Sequence, residues 1–159
     1  GTEMQVRDFQ SQNWAVEVKT THGNNHQKVH ISSERQLDTN NLESLFLYHI
    51  SLEKMQNSGE TLNNIVDSIS ETLQSEIIAL NKFKSKLYET GYFDLQRSLY
   101  DEIGYFIRQD VFYKVENDFP RIEENDIRIG VGDVKYSIIL SQCTSFTIDE
   151  DLVFNTTEP

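Results

Sequence analysis

Three charged residues near the start of the 159-residue chain have types and a spacing that suit phosphate chemistry: Asp8, Glu17 and Lys19. Glu17 and Lys19 lie in an alternating segment, and the two-residue period of a strand puts both on one face. Two carboxylates that converge on one point are ligands for a hard divalent cation such as Mg²⁺, and the carbonyl of Val18 can add a third oxygen. A lysine beside them can orient water or offset charge on a phosphoryl group.

This interpretation depends on a hairpin that brings Asp8 and Glu17 together. A two-residue loop at Ser11 and Gln12 would put Asp8 opposite Ala15, diagonally beside Glu17 and within side-chain reach. A three-residue loop would turn Asp8 away. Glu-x-Lys on a solvated strand face is also common without any function, so the spacing alone is a weak signal.

The first 55 residues are expected to form strands and one short helix. Extended segments are predicted at residues 5–10, 14–21, 28–31 and 45–52. Ser33-Glu34-Arg35-Gln36 has the pattern of a capping box, which predicts a helix start. The side chains expected in the core are Val16, Val18, Ile31 and Phe46.

Helices dominate the middle of the chain, and strands return after it. Apolar residues at helical spacing predict a helix from Leu62 to Leu73, and those from Ile77 to Tyr88 either continue it or form a second helix. A short helix is expected within residues 94–103, and strands are expected at residues 105–115 and 134–140. The polar tail after Asp149 is expected to be frayed.

Composition excludes several classes of protein. With 37% hydrophobic residues the chain can bury one sizeable core, and no apolar stretch approaches the length of a membrane span. The single cysteine, Cys143, excludes an internal disulfide framework and fits a reducing, cytoplasmic compartment. A net charge of -12 argues against a nonspecific polyanion binder.

The wider motif string resembles the PD-(D/E)XK nuclease superfamily, and more narrowly the bacterial "PD-(D/E)XK motif proteins" once classed as a domain of unknown function. The segments that carry the resemblance are Asp8-Phe9, Trp14 to Thr20, His30 to Leu37, Phe119 to Ile122 and Val134 to Ile138. They extend over most of the chain. Superfamily members place a helix and a strand before the motif aspartate, so the N-terminal elements of the domain are expected to be missing here.

The resemblance implies roles for particular residues. Asp8 and Glu17, with Val18, would hold Mg²⁺ or Mn²⁺, and Lys19 would be the catalytic lysine. Gln36 would support catalysis from the following helix. Residues that could contact the substrate are Ser33, His22 and Lys28.

Other clusters of reactive residues have plainer explanations. His22, His26 and His30 recur every four residues, but Gly23 makes the helix that a zinc site would need improbable, and a polar loop is favoured. Cys143 has no histidine nearby in sequence, so a buried structural thiol is expected. Residues 130–133 lack the third glycine of a dinucleotide loop and indicate a turn.

Together these features predict an α/β fold with a mixed central β-sheet, flanking helices and a restriction-endonuclease-like core. Residues 1–55 would form the nuclease-like hairpin and sheet, and residues 56–159 a helical segment plus additional strands of the same compact domain. The predicted function is Mg²⁺-dependent DNA endonuclease activity in a bacterial restriction, defence or DNA-processing system, with protein partners in such a complex. The alternative is a noncatalytic nuclease-fold module whose helix-rich segment, residues 60–110, docks onto a larger complex. We also expect Lys19 to lean toward Glu17 or Asp8 as a substitute for a cation.

Overall fold

The computed structural model describes residues 6–23 and 27–157, which form two compact units. The first combines residues 1–52 with residues 107–159, and the second comprises residues 53–106. Residues 28–31 pair as a strand with residues 136–139, which explains why the two ends of the chain share one unit. Within the described part of the chain, no helix combines the length and apolar character that a membrane crossing requires.

The strands are β1 (Phe9–Gln10), β2 (Trp14–His22), β3 (Lys28–Ile31), β4 (Ser44–Gln56), β5 (Glu60–Thr61), β6 (Ile103–Lys114), β7 (Tyr136–Ile139) and β8 (Thr147–Ile148). The α-helices are α1 (Leu62–Thr72), α2 (Ile77–Glu89), α3 (Arg97–Tyr100) and α4 (Glu150–Thr157). One sheet has the order β1-β2-β4-β6-β5 with β8 also paired to β6, and β3 pairs with β7 separately. Strands β2 and β4 are parallel, whereas β1–β2, β3–β7, β5–β6 and β6–β8 are antiparallel. The predicted mixed-sheet α/β fold is confirmed.

Both faces of the β2–β4 pair are covered, because their side chains alternate between two apolar clusters. One face places Ala15, Leu45 and Leu47 against side chains from β3 and β7, including Ile31 and Ile138. Cys143 is fully buried in this cluster, and burial raises the pKa of its thiol to about 11. It is therefore a protonated packing residue at neutral pH, as expected.

The second cluster comprises Val16, Phe46, Phe112 and Val153, with Val18 half-buried beside it. It corrects the expectation of a frayed tail, because α4 contributes Val153, which is only 2% exposed. The Phe154 ring also meets Phe112 edge-on, with 6.3 Å between the ring centroids. The sequence pattern failed here because Val153 and Phe154 are enough to anchor a helix of only eight residues.

In the second unit, α1 and α2 are separate helices, so the apolar pattern after Leu73 forms a second helix and does not continue the first. Thr61 caps α1 by exchanging hydrogen bonds with Asn64. Gly104 on β6 has no room for a side chain, since a Cβ atom there would lie 2.1 Å from the carbonyl oxygen of Ser58. The β5–β6 pairing therefore requires glycine at this position.

Candidate active site

The hairpin that forms the site has a two-residue loop, but one residue further along than predicted. Phe9 pairs with Val16 and Gln10 with Ala15, so the loop is Gln12-Asn13 rather than Ser11-Gln12. The amide of Ser11 donates to the carbonyl of Trp14 and closes this turn. The register brings Asp8 level with Glu17 instead of diagonal to it.

Asp8 lies just before β1, and its carboxylate accepts a hydrogen bond from the amide of Val18, with 2.8 Å between Oδ2 and N. The Asp8 side chain thus replaces a main-chain hydrogen-bond acceptor for Val18 just before β1 begins. A strand residue directs its N–H and C=O to the same side, so the carbonyl of Val18 faces the Asp8 side of β2. This is the arrangement that the proposed set of oxygen ligands requires.

Glu17 is the buried member of the site, with only 2% of its surface exposed. Its Oε1 atom lies 2.7 Å from Lys19 Nζ, as expected for a lysine that substitutes for a cation. Its Oε2 atom is also buried and has no hydrogen-bond partner among the described residues. Burial raises the pKa of Glu17, Lys19 opposes that shift, and the negative charge of Asp8 adds to it.

Gln36 joins the two charged groups of β2. Its Nε2 donates to Glu17 Oε1 at 2.6 Å, and its Oε1 accepts from Lys19 Nζ at 3.2 Å. The same Oε1 accepts from the amide and hydroxyl of Ser32, at 2.9 and 3.0 Å. The amide side chain is therefore held in one orientation, with its nitrogen toward Glu17.

A short 3-10 helix, Glu34–Leu37, carries Gln36. Ser33 caps it, but Ser33 Oγ accepts from the amide of Arg35 rather than from that of Gln36, so the expected helix start is a single tight turn. Ser33 thus has a structural role, and it is Ser32 that contacts Gln36.

Arg7 is a site residue that sequence reasoning missed. Its half-buried guanidinium donates to the backbone carbonyls of Gln36 and Asp38. Burial lowers the pKa of Arg7, against the opposing effect of the Asp38 and Glu17 carboxylates. Arg7 therefore joins the segment that contains Asp8 to the turn that contains Gln36. Arg7 lies directly before Asp8, and no periodic sequence pattern marks it as a site residue.

The remaining substrate candidates lie away from these contacts. His22 ends β2 and Lys28 begins β3, and both side chains are exposed. No hydrogen bond or ion pair of the described residues joins either one to Glu17 or Lys19. His26, considered for a zinc site, lies outside the described residues, and no group of three or more His, Cys, Asp or Glu suited to a metal occurs among the residues that are described.

The protein offers a divalent cation fewer oxygen ligands than a complete coordination shell contains. Two carboxylates and one strand carbonyl face the same region, and Oε2 of Glu17 accepts from no donor in the part of the chain that the structure describes. Hard oxygen donors of this kind suit Mg²⁺, which keeps several waters and needs only one or two protein carboxylates. The residues present therefore fit such an ion.

Comparison with known proteins identifies the chain's family. Residues 1–141 match the family model described as "Putative PD-(D/E)XK family member, (DUF4420)". No curated protein and no solved structure matches the chain significantly. The matched residues include the hairpin, β2, the 3-10 helix that carries Gln36, the helices α1, α2 and α3, and β7. The chain belongs to this PD-(D/E)XK family.

Proposed function

We propose that this chain is a divalent-metal-dependent nuclease domain that hydrolyses phosphodiester bonds in DNA, within a bacterial restriction, defence or DNA-processing system. Nucleases of the PD-(D/E)XK superfamily generally use divalent metal ions. The observation that carries the proposal is the convergence of Asp8, Glu17 and Lys19, with one buried oxygen of Glu17 that has no hydrogen-bond partner among the described residues. A buried carboxylate oxygen that lacks a partner costs about 1–3 kcal/mol, and a bound cation would offset that cost.

In this proposal each side chain has a defined task. Asp8 and Glu17 hold the cation, which supplies charge neutralisation and water activation when it is bound. Gln36 fixes the orientation of Glu17 through its 2.6 Å hydrogen bond. With a cation held by the carboxylates, the ammonium group of Lys19 would be available to stabilise negative charge on the phosphate or to orient water.

The test compares Lys19 with a second lysine in a similar ion pair. Cleavage of plasmid and linear DNA is measured in Mg²⁺ and in Mn²⁺ for the wild-type chain, for Lys19→Ala and for Lys114→Ala. Lys114 lies 2.8 Å from Glu116, two residues away on the surface, and is therefore a matched control. The proposal expects cleavage by the wild type and by Lys114→Ala, and its loss in Lys19→Ala. Equal cleavage by all three would remove Lys19 from the mechanism.

A noncatalytic docking module is the second candidate, and one observation favours it. The second unit exposes large apolar side chains, among them Ile77 at 70%, Ile78 at 76% and Leu95 at 100%. Large apolar side chains that are exposed to solvent mark contacts with other proteins when they form a patch. A wild-type chain that binds Mn²⁺ but cleaves no DNA form, and whose association with its complex is lost in Ile78→Asp, would favour this candidate.

A further inference from the structure

The loop of residues 127–135, between a 3-10 helix (Glu124–Asp126) and β7, exposes apolar side chains at its tip. The amide of Val131 donates to the carbonyl of Arg128 at 3.0 Å, and Gly130 has a φ of +88°, which closes a tight turn. Ile129 is fully exposed and Val131 is 59% exposed. A Cβ atom built on Gly130 would meet no heavy atom within 4 Å, so the tip stands clear of its surroundings.

This loop, called here the 127–135 loop, is anchored at both ends. At its C-terminal end the buried carboxylate of Glu34 accepts a hydrogen bond from the amide of Val134 at 2.8 Å. Backbone amides, that of Glu34 itself first and then those of Val134 and Asp133, lower the pKa of Glu34. The carboxylate therefore stays charged at neutral pH and keeps its hold on the loop.

The N-terminal end of the loop is fixed to the segment that follows Glu34. Glu123 accepts from the amide and hydroxyl of Thr39, at 3.0 and 2.6 Å. The amide of Glu124 donates to the carboxylate of Asp38 at 3.2 Å. A turn whose two ends are both fixed presents its apolar tip in a defined position.

The anchor also places the loop beside the candidate active site. Glu34 and Gln36 lie two residues apart on the same 3-10 helix. Glu34 holds the loop, and Gln36 contacts both Glu17 and Lys19. One 3-10 turn therefore contacts both the loop and the side chains of the candidate site.

Charge on this loop favours a polyanionic ligand. Arg128 and Lys135 are exposed, and neither side chain forms an ion pair or hydrogen bond with another described residue. Of the acids just before the loop, Glu123 contacts Arg121 at 2.9 Å and Glu124 contacts Arg35 at 2.8 Å. Asp126 accepts from the amide of Glu123 at 2.9 Å and has no cationic partner among the described residues, so it also opposes an anion. Asp133 is the remaining acid of the loop, and it opposes binding of an anion.

We propose that the 127–135 loop contacts duplex DNA, with Ile129 inserted into the minor groove and Arg128 and Lys135 on the flanking phosphates. Apolar side chains on such loops act as wedges between base steps, while neighbouring cations position the protein on the backbone. The inference rests on the proposed function, because it names how the substrate of that site is held.

The experiment measures duplex binding in the Lys19→Ala background, so that binding is followed without cleavage. A fluorescent duplex gives the affinity, and a 2-aminopurine base reports unstacking. Ile129→Ser is compared with Ile139→Ser, which alters a 55% exposed isoleucine of β7 outside the loop. We expect Ile129→Ser to weaken binding roughly tenfold, as loss of one buried aliphatic side chain does, and to abolish the 2-aminopurine signal. The control should keep both.

The charged residues give a second, independent measurement. Arg128→Gln and Lys135→Gln should each lower the slope of log affinity against log salt by about 0.9, the effect of one lost phosphate contact. Asp133→Asn should raise the affinity. Suppose that the wild type cleaves DNA, and that the loop variants match their parent in DNA affinity, 2-aminopurine signal and salt slope. That result overturns this inference and leaves the proposed function intact. A wild-type chain that neither binds nor cleaves DNA overturns both.

Discussion

Two buried polar networks, one in each unit, differ in how completely their groups are paired. In the second unit, Asn63 accepts from the hydroxyl of Tyr92 at 2.7 Å and donates to Asp101 and to the carbonyl of Arg97. Arg97 in turn makes a two-pronged contact with Asp67, at 3.0 and 2.6 Å. In the first unit, Glu17 is equally buried, but its Oε2 atom has no partner within residues 6–23 and 27–157.

The difference distinguishes a network that stabilises from one that is kept ready for a ligand. Buried polar groups are normally paired, because an unpaired one loses its hydration without compensation. The Asn63 network follows that rule and needs no ligand to explain it. The Glu17 site departs from it at one oxygen, beside a second carboxylate whose charge adds to the cost. Four predictions test this contrast, from the largest expected effect to the smallest.

The largest effect is expected on catalysis. Glu17→Gln should lower DNA cleavage at least about 100-fold, comparable to removing one essential electrostatic group from an active site. The amide keeps the size of the side chain but removes a charged ligand. Cleavage rates in Mg²⁺ and Mn²⁺ check this, with Glu116→Gln as the control because Glu116 pairs with Lys114 on the surface. Unchanged cleavage by Glu17→Gln would make the site structural.

Asn63→Ala should have the largest effect on stability. It removes three hydrogen bonds from a residue that is 3% exposed, and leaves the carboxylate of Asp101 and the carbonyl of Arg97 each without one donor. We expect a loss of about 2 kcal/mol in the free energy of unfolding, measured by chemical denaturation. Asn81→Ala on α2, an exposed helical position, controls for helix propensity. Similar values for the two variants would contradict the assignment of a stabilising network.

Glu17→Gln should change stability in the opposite direction. Because burial raises the pKa of Glu17, the folded state holds its proton more tightly than the unfolded state. Its contribution to stability is present at low pH and is lost as pH rises through the folded pKa. The neutral amide avoids that loss, so the variant should be more stable than the wild type at pH 7. The gain should shrink as pH falls below the usual carboxyl range, which denaturation at a series of pH values can follow. A loss at pH 7 would show that the Lys19 ion pair outweighs burial.

Glu34→Gln should give the smallest effect and the reverse dependence on pH. Backbone amides lower the pKa of Glu34, so its contribution is present above the unfolded pKa and is lost as pH falls through the folded one. The variant should therefore be less stable than the wild type at pH 7 and approach it in acid. Thermal melts across the same pH series measure this. Parallel pH profiles for the Glu17 and Glu34 variants would contradict the opposite environments assigned to them.

Much of the first unit follows from local sequence patterns. Alternation of polar and apolar residues located β2, helical spacing located α1 and α2, and the Ser33 pattern located a cap. Val16, Ile31 and Phe46 are buried as predicted, and Val18 is half-buried. The family itself was identified from the motif segments, and the match over residues 1–141 confirms it. The roles of Asp8, Glu17, Lys19 and Gln36 remain predictions.

What the sequence by itself determined is what depends on period and residue type, namely that Glu17 and Lys19 share a strand face. Whether a hairpin brings Asp8 near them depended on the loop length, which the sequence left open. Tertiary structure alone decided how the groups meet. The loop at Gln12-Asn13 set Asp8 level with Glu17, the packing of a distant turn placed Gln36 between Glu17 and Lys19, and Arg7 fixed that turn. It also buried Glu17 and folded the tail as α4. These outcomes depend on pairing and burial between residues far apart in sequence, which no local pattern encodes.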